Sequence, residues 1–285
     1  MKSIIVPRPK ELERVKKRFI RDGAGKLHLL SDFDRTLTTV FINGKMVSSL
    51  MTSLSDKYLT KDYRKEYQRL FNQYFPIEMD QTMVLKDKKK AMAEWWRKIF
   101  ALLIKEKLNK KDLKKFITTQ DIKLREGFNQ FATILKKQNI PLIIISSSGL
   151  GEEAIKLYLE KIDKLSDNIY IIANNFEWDK NGYAVTVKEP IIHVANKDET
   201  VLKDFPVFDL IKKRKNVILL GDVIEDTGMI TGFTYENLIK IGFFSDKKEK
   251  SLEIYKSYYD AIILNDSGLD YVNQLLEEIC QVVKI

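Results

Sequence analysis

Six short apolar runs, most of them stopping at a polar cluster and all separated by helical or loop segments, constrain the fold of this chain more than any other feature. They are Leu27-His28-Leu29-Leu30, Pro141 to Ile145, Ile169 to Ala173, Asn216 to Leu220, Leu238 to Phe243 and Ala261 to Leu264. Each is too short for a helix, and most lack the alternation of a half-solvated strand, so they read as strands buried on both faces. Between them apolar residues recur at helical spacing, over residues 9 to 22, from Gly127 through Lys137 and from near Glu152. Such alternation predicts an α/β fold with a parallel sheet flanked by helices on both faces.

One stretch interrupts the alternation. Residues 48 to 125 hold no convincing strand but show helical patterns over Asp62 to Tyr74, Lys88 to Lys107 and Lys110 to Thr118. A helical domain spanning 47–121 is therefore expected, inserted into a core built from 1–46 and 122–285, and a length of 285 residues accommodates both. Asn43-Gly44 between apolar residues signals a tight hairpin beside the first strand, and Asn181-Gly182 is a second hairpin signal.

Composition narrows the chemistry. One cysteine, Cys280, and two histidines, His28 and His193, leave no internal disulfide and no histidine/cysteine zinc site, so any metal must be held by carboxylates. The net charge of +9 is largely local: Lys86 to Lys115 carries twelve Lys/Arg against four Asp/Glu. At helical spacing this reads as a solvated face with a mild pull on anionic substrates; no nucleic-acid-binding module accompanies it, and no nucleic-acid partner is expected. Met1 to Ile20 has no apolar signal region and no stretch is long enough to span a bilayer, so no membrane partner and a cytoplasmic, reducing location are expected, for a chain acting as a monomer.

Ligands of open parallel sheets bind outside the carboxyl ends of the strands. There the chain places Asp32-Phe33-Asp34-Arg35-Thr36, then Ser147 with Gly149 and Gly151, then Gly221-Asp222 with Asp226, while Lys197 precedes the last of these at an expected helix start. Two turn residues after a strand would account for one acid better than for two. Alternate residues of an extended segment point the same way, so Asp32 and Asp34 converge while Phe33 packs away. Converging carboxylates favour a cation between them. Magnesium suits such a site, with Asp32, the carbonyl of Asp34 and Asp222 as ligands. Lys197, Ser147 and the backbone N–H groups near Gly149 to Gly151 can hold a phosphoryl group bound to that ion.

These residues resemble the four signature motifs of the haloacid dehalogenase-like superfamily: the DxDx[T/V] box at Asp32 to Thr36, the serine at Ser147, the lysine at Lys197 and the GDxxxD box at Gly221 to Asp226. Within it the chain resembles the cytosolic 5'-nucleotidase type III, or pyrimidine 5'-nucleotidase, family, through Ile77-Glu78-Met79-Asp80, Glu94-Trp95-Trp96, Leu124-Arg125-Glu126-Gly127, Ile192-His193-Val194 with Asn196-Lys197, and Leu238 to Gly242. The resemblance implies a Rossmann-like core with a C1-type helical cap, and a magnesium-dependent hydrolase of nucleoside 5'-monophosphates, of pyrimidine or 7-methylguanosine type. It implies Asp32 as nucleophile, Asp34 as acid and base, Ser147, Ser148, Gly149 and Lys197 around the phosphate, and Thr36 and Asp226 behind them. Glu78, Trp95, Trp96 and Met51 fall in the base-facing part of the cap, although paired tryptophans at helical positions more often pack than bind. The chain departs from the family at Arg35, at Met51 and at Val223-Ile224-Glu225, where smaller residues are usual, which bears on base preference. The core motifs do not encode the leaving group, so a phosphoamino acid or sugar phosphate is the alternative substrate. An inactive RNA- or protein-binding scaffold would have lost a motif residue, and none is lost.

Overall fold

A computed structural model of the chain describes residues 3–46, 59–80, 82–119, 122–198, 202, 205–232, 234–245 and 249–281. Met51 lies outside the described residues. Ile4–Ile5 (β1) and the helix Pro9–Asp22 (α1) lead to Leu27–Ser31 (β2), to the hairpin of Phe41–Ile42 (β3) and Lys45–Met46 (β4), and to the helices Lys61–Met79 (α2), Leu85–Lys105 (α3) and Lys110–Thr119 (α4). Then come Phe128–Lys137 (α5), Leu142–Ser146 (β5), Gly151–Lys161 (α6), Ile169–Ala173 (β6) and a second hairpin, Phe176–Trp178 (β7) with Ala184–Val187 (β8). Val207–Ile211 (α7), Asn216–Gly221 (β9), Asn237–Phe244 (β10), Glu249–Tyr258 (α8), Ala261–Leu264 (β11) and Asp270–Cys280 (α9) complete the described elements.

The main sheet has the order β1-β11-β10-β9-β2-β5-β6, parallel throughout except for β1, which pairs antiparallel with β11 through Ile4 opposite Ile263. Two residues carry no periodicity, so β1 escapes a sequence reading. The six expected strands are all present, and β2, β5 and β9 sit side by side at the centre, which brings their carboxyl ends together. Strand residues alternate between two cores. Leu27, Leu29, Leu142, Ile144, Ile218 and Leu220 pack with α1, α5, α6 and α9, whereas Leu30, Ile143, Ile145, Val217 and Leu219 pack with α7 and α8. The side-chain period of two therefore distributes one continuous apolar run over both faces.

Both hairpin signals are realised. Asn43 and Gly44 have φ of 52° and 74°, the pair of positive values that a two-residue type I′ turn requires. Asn181-Gly182 instead sits in a five-residue loop, 179–183, with a register shift at Glu177/Trp178, and the Asp179 carboxylate accepts the N–H groups of Asn181 and Tyr183. The helices α2 to α4 lie between β4 and β5 in sequence, and α2 runs beyond the expected end at Tyr74, carrying Pro76 inside it. Its apolar stripe continues to Ile77, which packs on the core and offsets the hydrogen bond that Pro76 cannot donate. Helix α3 packs on α2, on β8 and on the 3₁₀ turn Val194–Asn196, which sets it against the loop that carries Lys197. Among the described residues no helix is long and apolar enough to cross a membrane.

Candidate active site

Asp32 follows β2 directly. Its N–H donates to the Leu220 carbonyl at 3.1 Å, extending the pairing with β9 by one residue and fixing the side chain above the sheet. Phe33 is fully buried, edge-on to Tyr158 at 6.0 Å, as the alternation requires. Beyond it the chain tightens: the Phe33 carbonyl accepts from Leu37 and Thr38, and Arg35 takes a positive φ of 63°. Asp34 is half-buried at this turn.

Lys197 binds the cluster together. Its Nζ donates to Oδ1 of Asp32 at 2.5 Å and to Oδ1 of Asp226 at 3.1 Å, all three side chains being buried. The other oxygen of Asp226 accepts the N–H groups of Asp222 and Val223 at 3.0 and 3.2 Å, so Asp226 has no oxygen left over and acts as the frame that aims Lys197. Gly221 permits this approach, because a Cβ there would lie 2.5 Å from the Cβ of Asp226. Thr36 Oγ1 reaches Asp222 Oδ1 at 3.4 Å. The Asn196 side chain accepts the His193 N–H at 2.7 Å and donates to the Ile191 carbonyl at 2.8 Å, which closes the 3₁₀ turn from which Lys197 emerges; the helix expected to begin there falls mostly on residues outside the described ones.

Ligand atoms of Asp32, Asp222 and Asp226 lie within 4.8 Å of one another. Burial pushes Asp32 up to about 7, against the pull of Lys197 and with the help of Asp226. Burial also raises Asp222 well above the carboxylate range, and the charges of Asp226 and Asp32 add to it. Asp34 is raised by burial and held back by Lys197 and Arg35. Burial works against the charge of Lys197, but Asp226 and Asp32 overcome it and keep the ammonium protonated. Carboxylates gathered at such a cost want a cation, and the all-oxygen donor set suits a divalent one.

After β5, Ser148 turns inward: its N–H donates to Ser146 Oγ at 3.1 Å and its hydroxyl accepts from Leu150 at 3.4 Å. Ser147 is the half-buried member of the run, next to buried Gly149. Asn174 joins this loop to the one that carries Lys197, donating to the Ile192 carbonyl at 2.9 Å, accepting the Ile192 N–H at 2.8 Å and touching the Ser148 carbonyl at 3.5 Å. Glu78, half-buried on α2, is raised by burial and by the Glu225 carboxylate and held back by Lys88 and Lys197. Trp95 lies inside the helical segment, buried against Phe71 and stacked on Tyr74, and half-buried Trp96 stacks on Phe100.

Several supports carry no local sequence signal. Buried Arg125 donates to the carbonyls of Thr36, Ser267 and Arg35 at 2.8, 2.7 and 2.5 Å and pairs with Asp266 at 2.9 Å. Asp266 in turn accepts the N–H groups of Val40 and Phe41, anchoring the hairpin. The hydroxyls of Tyr255 and Tyr259 donate to the carbonyls of Asp222 and Val223. Only the family resemblance at Leu124 to Gly127 hinted at Arg125, without a role.

The sequence profile of the pyrimidine 5'-nucleotidase (UMPH-1) family matches residues 35–280, which takes in every motif after the first two aspartates. The chain belongs to this family. Membership in the pyrimidine 5'-nucleotidase family makes it a 5'-nucleotidase, a phosphoric monoester hydrolase. It is 33% identical over 279 residues to the 7-methylguanosine phosphate-specific 5'-nucleotidase of Rattus norvegicus, covering 97% of this chain and 92% of the relative. The Homo sapiens protein of that name is 33% identical over 286 residues, covering 99% and 95%, a span that includes Asp32 and Asp34. A crystal structure of cytosolic 5'-nucleotidase IIIB bound to cytidine superposes with a TM-score of 0.84 at 27% identity, covering 99% of this chain and 95% of that one. A phospho-aspartyl intermediate analogue of phosphoserine phosphatase shares the fold at a TM-score of 0.51 and 18% identity. The core is thus haloacid dehalogenase-like.

Proposed function

We propose that the chain hydrolyses nucleoside 5'-monophosphates of pyrimidine or 7-methylguanosine type to nucleoside and phosphate, through an aspartyl-phosphate on Asp32. The observation that carries this reading is the Lys197 bridge between Asp32 and Asp226 at the ends of β2 and β9, with Asp222 beside it. A carboxylate so placed is a nucleophile already held against the positive charge its phosphoryl target needs. Names of relatives that act on 7-methylguanosine phosphate, and a similar structure bound to cytidine, support a base-bearing substrate.

In the proposed reaction an Asp32 carboxylate oxygen attacks phosphorus in line as the bond to O5' breaks, and Asp34 delivers its proton to O5'. Burial, which raises Asp34, favours the protonated form required for that step. Asp34, now ionised, takes a proton from water as it attacks phosphorus, the bond to Asp32 breaks and phosphate leaves. Lys197 neutralises the phosphoryl oxygens, while Ser147 and the N–H groups of the following loop hold them. Asp32, Asp222 and the Asp34 carbonyl would hold a magnesium ion, which would supply further positive charge and favour the ionised form of Asp32. Asp226 has both oxygens engaged and is assigned to orienting Lys197. Residues 47–121 form the cap and 1–46 with 122–285 the core, and Glu78 on α2 contacts the base.

The deciding experiment is phosphate release from a panel of nucleoside monophosphates with magnesium, phosphoserine and a sugar phosphate serving as competitors. Nucleotides should be turned over with the highest kcat/KM, and Glu78→Ala should flatten the preference among bases. Equal rates on phosphoserine or a sugar phosphate would transfer the assignment to a general phosphatase.

A further inference from the structure

Helix α3 meets the core through two adjacent lysines. Lys88 is buried, with its Nζ 3.7 Å from Oε1 of Glu225 and donating to the Asp80 carbonyl at 3.2 Å. Lys89 donates to Oδ2 of Asp198 at 2.8 Å. Glu225 directly precedes Asp226, and Asp198 directly follows Lys197. Two neighbouring cap lysines therefore grip the residues flanking both members of the ion pair that holds Asp32. Consecutive helix positions diverge by about 100°, so the two side chains reach separate loops and oppose both sliding and rotation of α3. A third contact on the same helix, Arg97 with Glu189 at 2.9 Å, has side chains 56% and 57% exposed and adds little.

We infer that Lys88 with Glu225 and Lys89 with Asp198 form an electrostatic clasp that seats the cap over the active site, and that these four are positioning residues for the base-bearing end of the substrate. Glu78 lies in the field of Glu225 and Lys88, and any shift of α3 moves the charges that surround it. A phosphate ester without a base needs only the core residues and should not sense the clasp. The substrate arm of this inference rests on the nucleotide reading above; the structural arm does not.

The test uses the full chain with Lys89→Glu, Asp198→Lys and the double exchange, together with the pair Lys88→Met and Glu225→Gln, which removes both charges and leaves no buried ion. Steady-state constants are measured for cytidine monophosphate, 7-methylguanosine monophosphate and p-nitrophenyl phosphate, and amide hydrogen exchange is followed over the first two turns of α3. Lys89→Glu should raise KM for the nucleotides at least about two- to fivefold, the range a partly exposed ion pair supplies, and leave p-nitrophenyl phosphate unchanged. The double exchange should recover the nucleotide KM, and α3 amides should exchange faster in the single variants and slow again in the double. Parallel losses on nucleotide and p-nitrophenyl phosphate, or no rescue by the double exchange, would overturn the clasp. Should the unaltered enzyme turn over p-nitrophenyl phosphate but no nucleotide, the nucleotide reading fails while exchange still decides the clasp: unchanged α3 amides in both single variants would refute it.

Discussion

Arg125 spends its guanidinium on three carbonyls and one carboxylate while lying over the Phe243 ring at 4.4 Å, so a single buried side chain ties the turn after Asp34 to the loop after β11. Arg125→Met leaves the half-buried Asp266 without its cation and three carbonyls without their donor, and urea denaturation should show a loss of about 3–5 kcal/mol. A lysine cannot restore the fork of bonds, so Arg125→Lys should recover less than half of that. At Asp32, replacement by Asn keeps the shape and removes the proposed nucleophile: phosphate release should fall roughly a thousandfold or more while the circular dichroism spectrum and the urea midpoint stay near those of the parent. Gly221→Ala acts differently, since its Cβ would push Asp226 aside. Displacement of Asp226 misaims Lys197, and kcat should drop far more than the roughly 1–3 kcal/mol of overpacking would suggest from stability alone.

Among elements, the loops after β5 and β6 and the 3₁₀ turn before Lys197 behave as one unit because Asn174 bonds across them. Asn174→Ala leaves the Ile192 N–H and carbonyl buried without partners, which costs about 1–3 kcal/mol on the usual scale for such groups. Thermal or urea unfolding should register that loss, and kcat should fall with it because Ser147 and Lys197 lose their common anchor. The β3–β4 hairpin shows the complementary case. Its turn was legible from Asn43-Gly44 alone, whereas its attachment depends on Asp266, more than two hundred residues away. Helix α2 was readable up to Tyr74 and continues through Pro76 because Ile77 packs on the core.

For the whole molecule, the cost of collecting carboxylates at the sheet's edge appears as a pH-dependent stability. Asp32 titrates near 7 in the folded chain without a cation, against about 3.9 for an unfolded aspartate. A raised carboxyl pKa means that the folded state binds more protons between those values, so metal-free stability is greatest below pH 4 for this group and declines as pH rises through 7. A bound divalent cation replaces the proton and removes that decline. The gain in melting temperature on adding magnesium should therefore be larger at pH 7.5 than at pH 5, as read by scanning fluorimetry at fixed ionic strength; an equal gain at both values would place the ion away from Asp32.

By itself the sequence determined the six parallel strands, their two-sided burial and the order in which Asp32, Ser147, Lys197 and Asp222 arrive, because apolar period and strand ends are local properties and the motifs lie at them. The side-by-side placement of β2, β5 and β9 turned that order into a site. Tertiary structure alone decided which groups hold the site in shape. Arg125 with Asp266, Asn174 with Ile192, and the tyrosines behind Asp222 and Val223 bond to backbone groups of loops remote in sequence, and a side-chain bond to a distant carbonyl leaves no periodicity to read. The pairing of Lys88 and Lys89 with Glu225 and Asp198 was hidden for the same reason: in sequence those lysines look like any solvated helix face, and only the packing of α3 against the loops around Lys197 and Asp226 gives them partners.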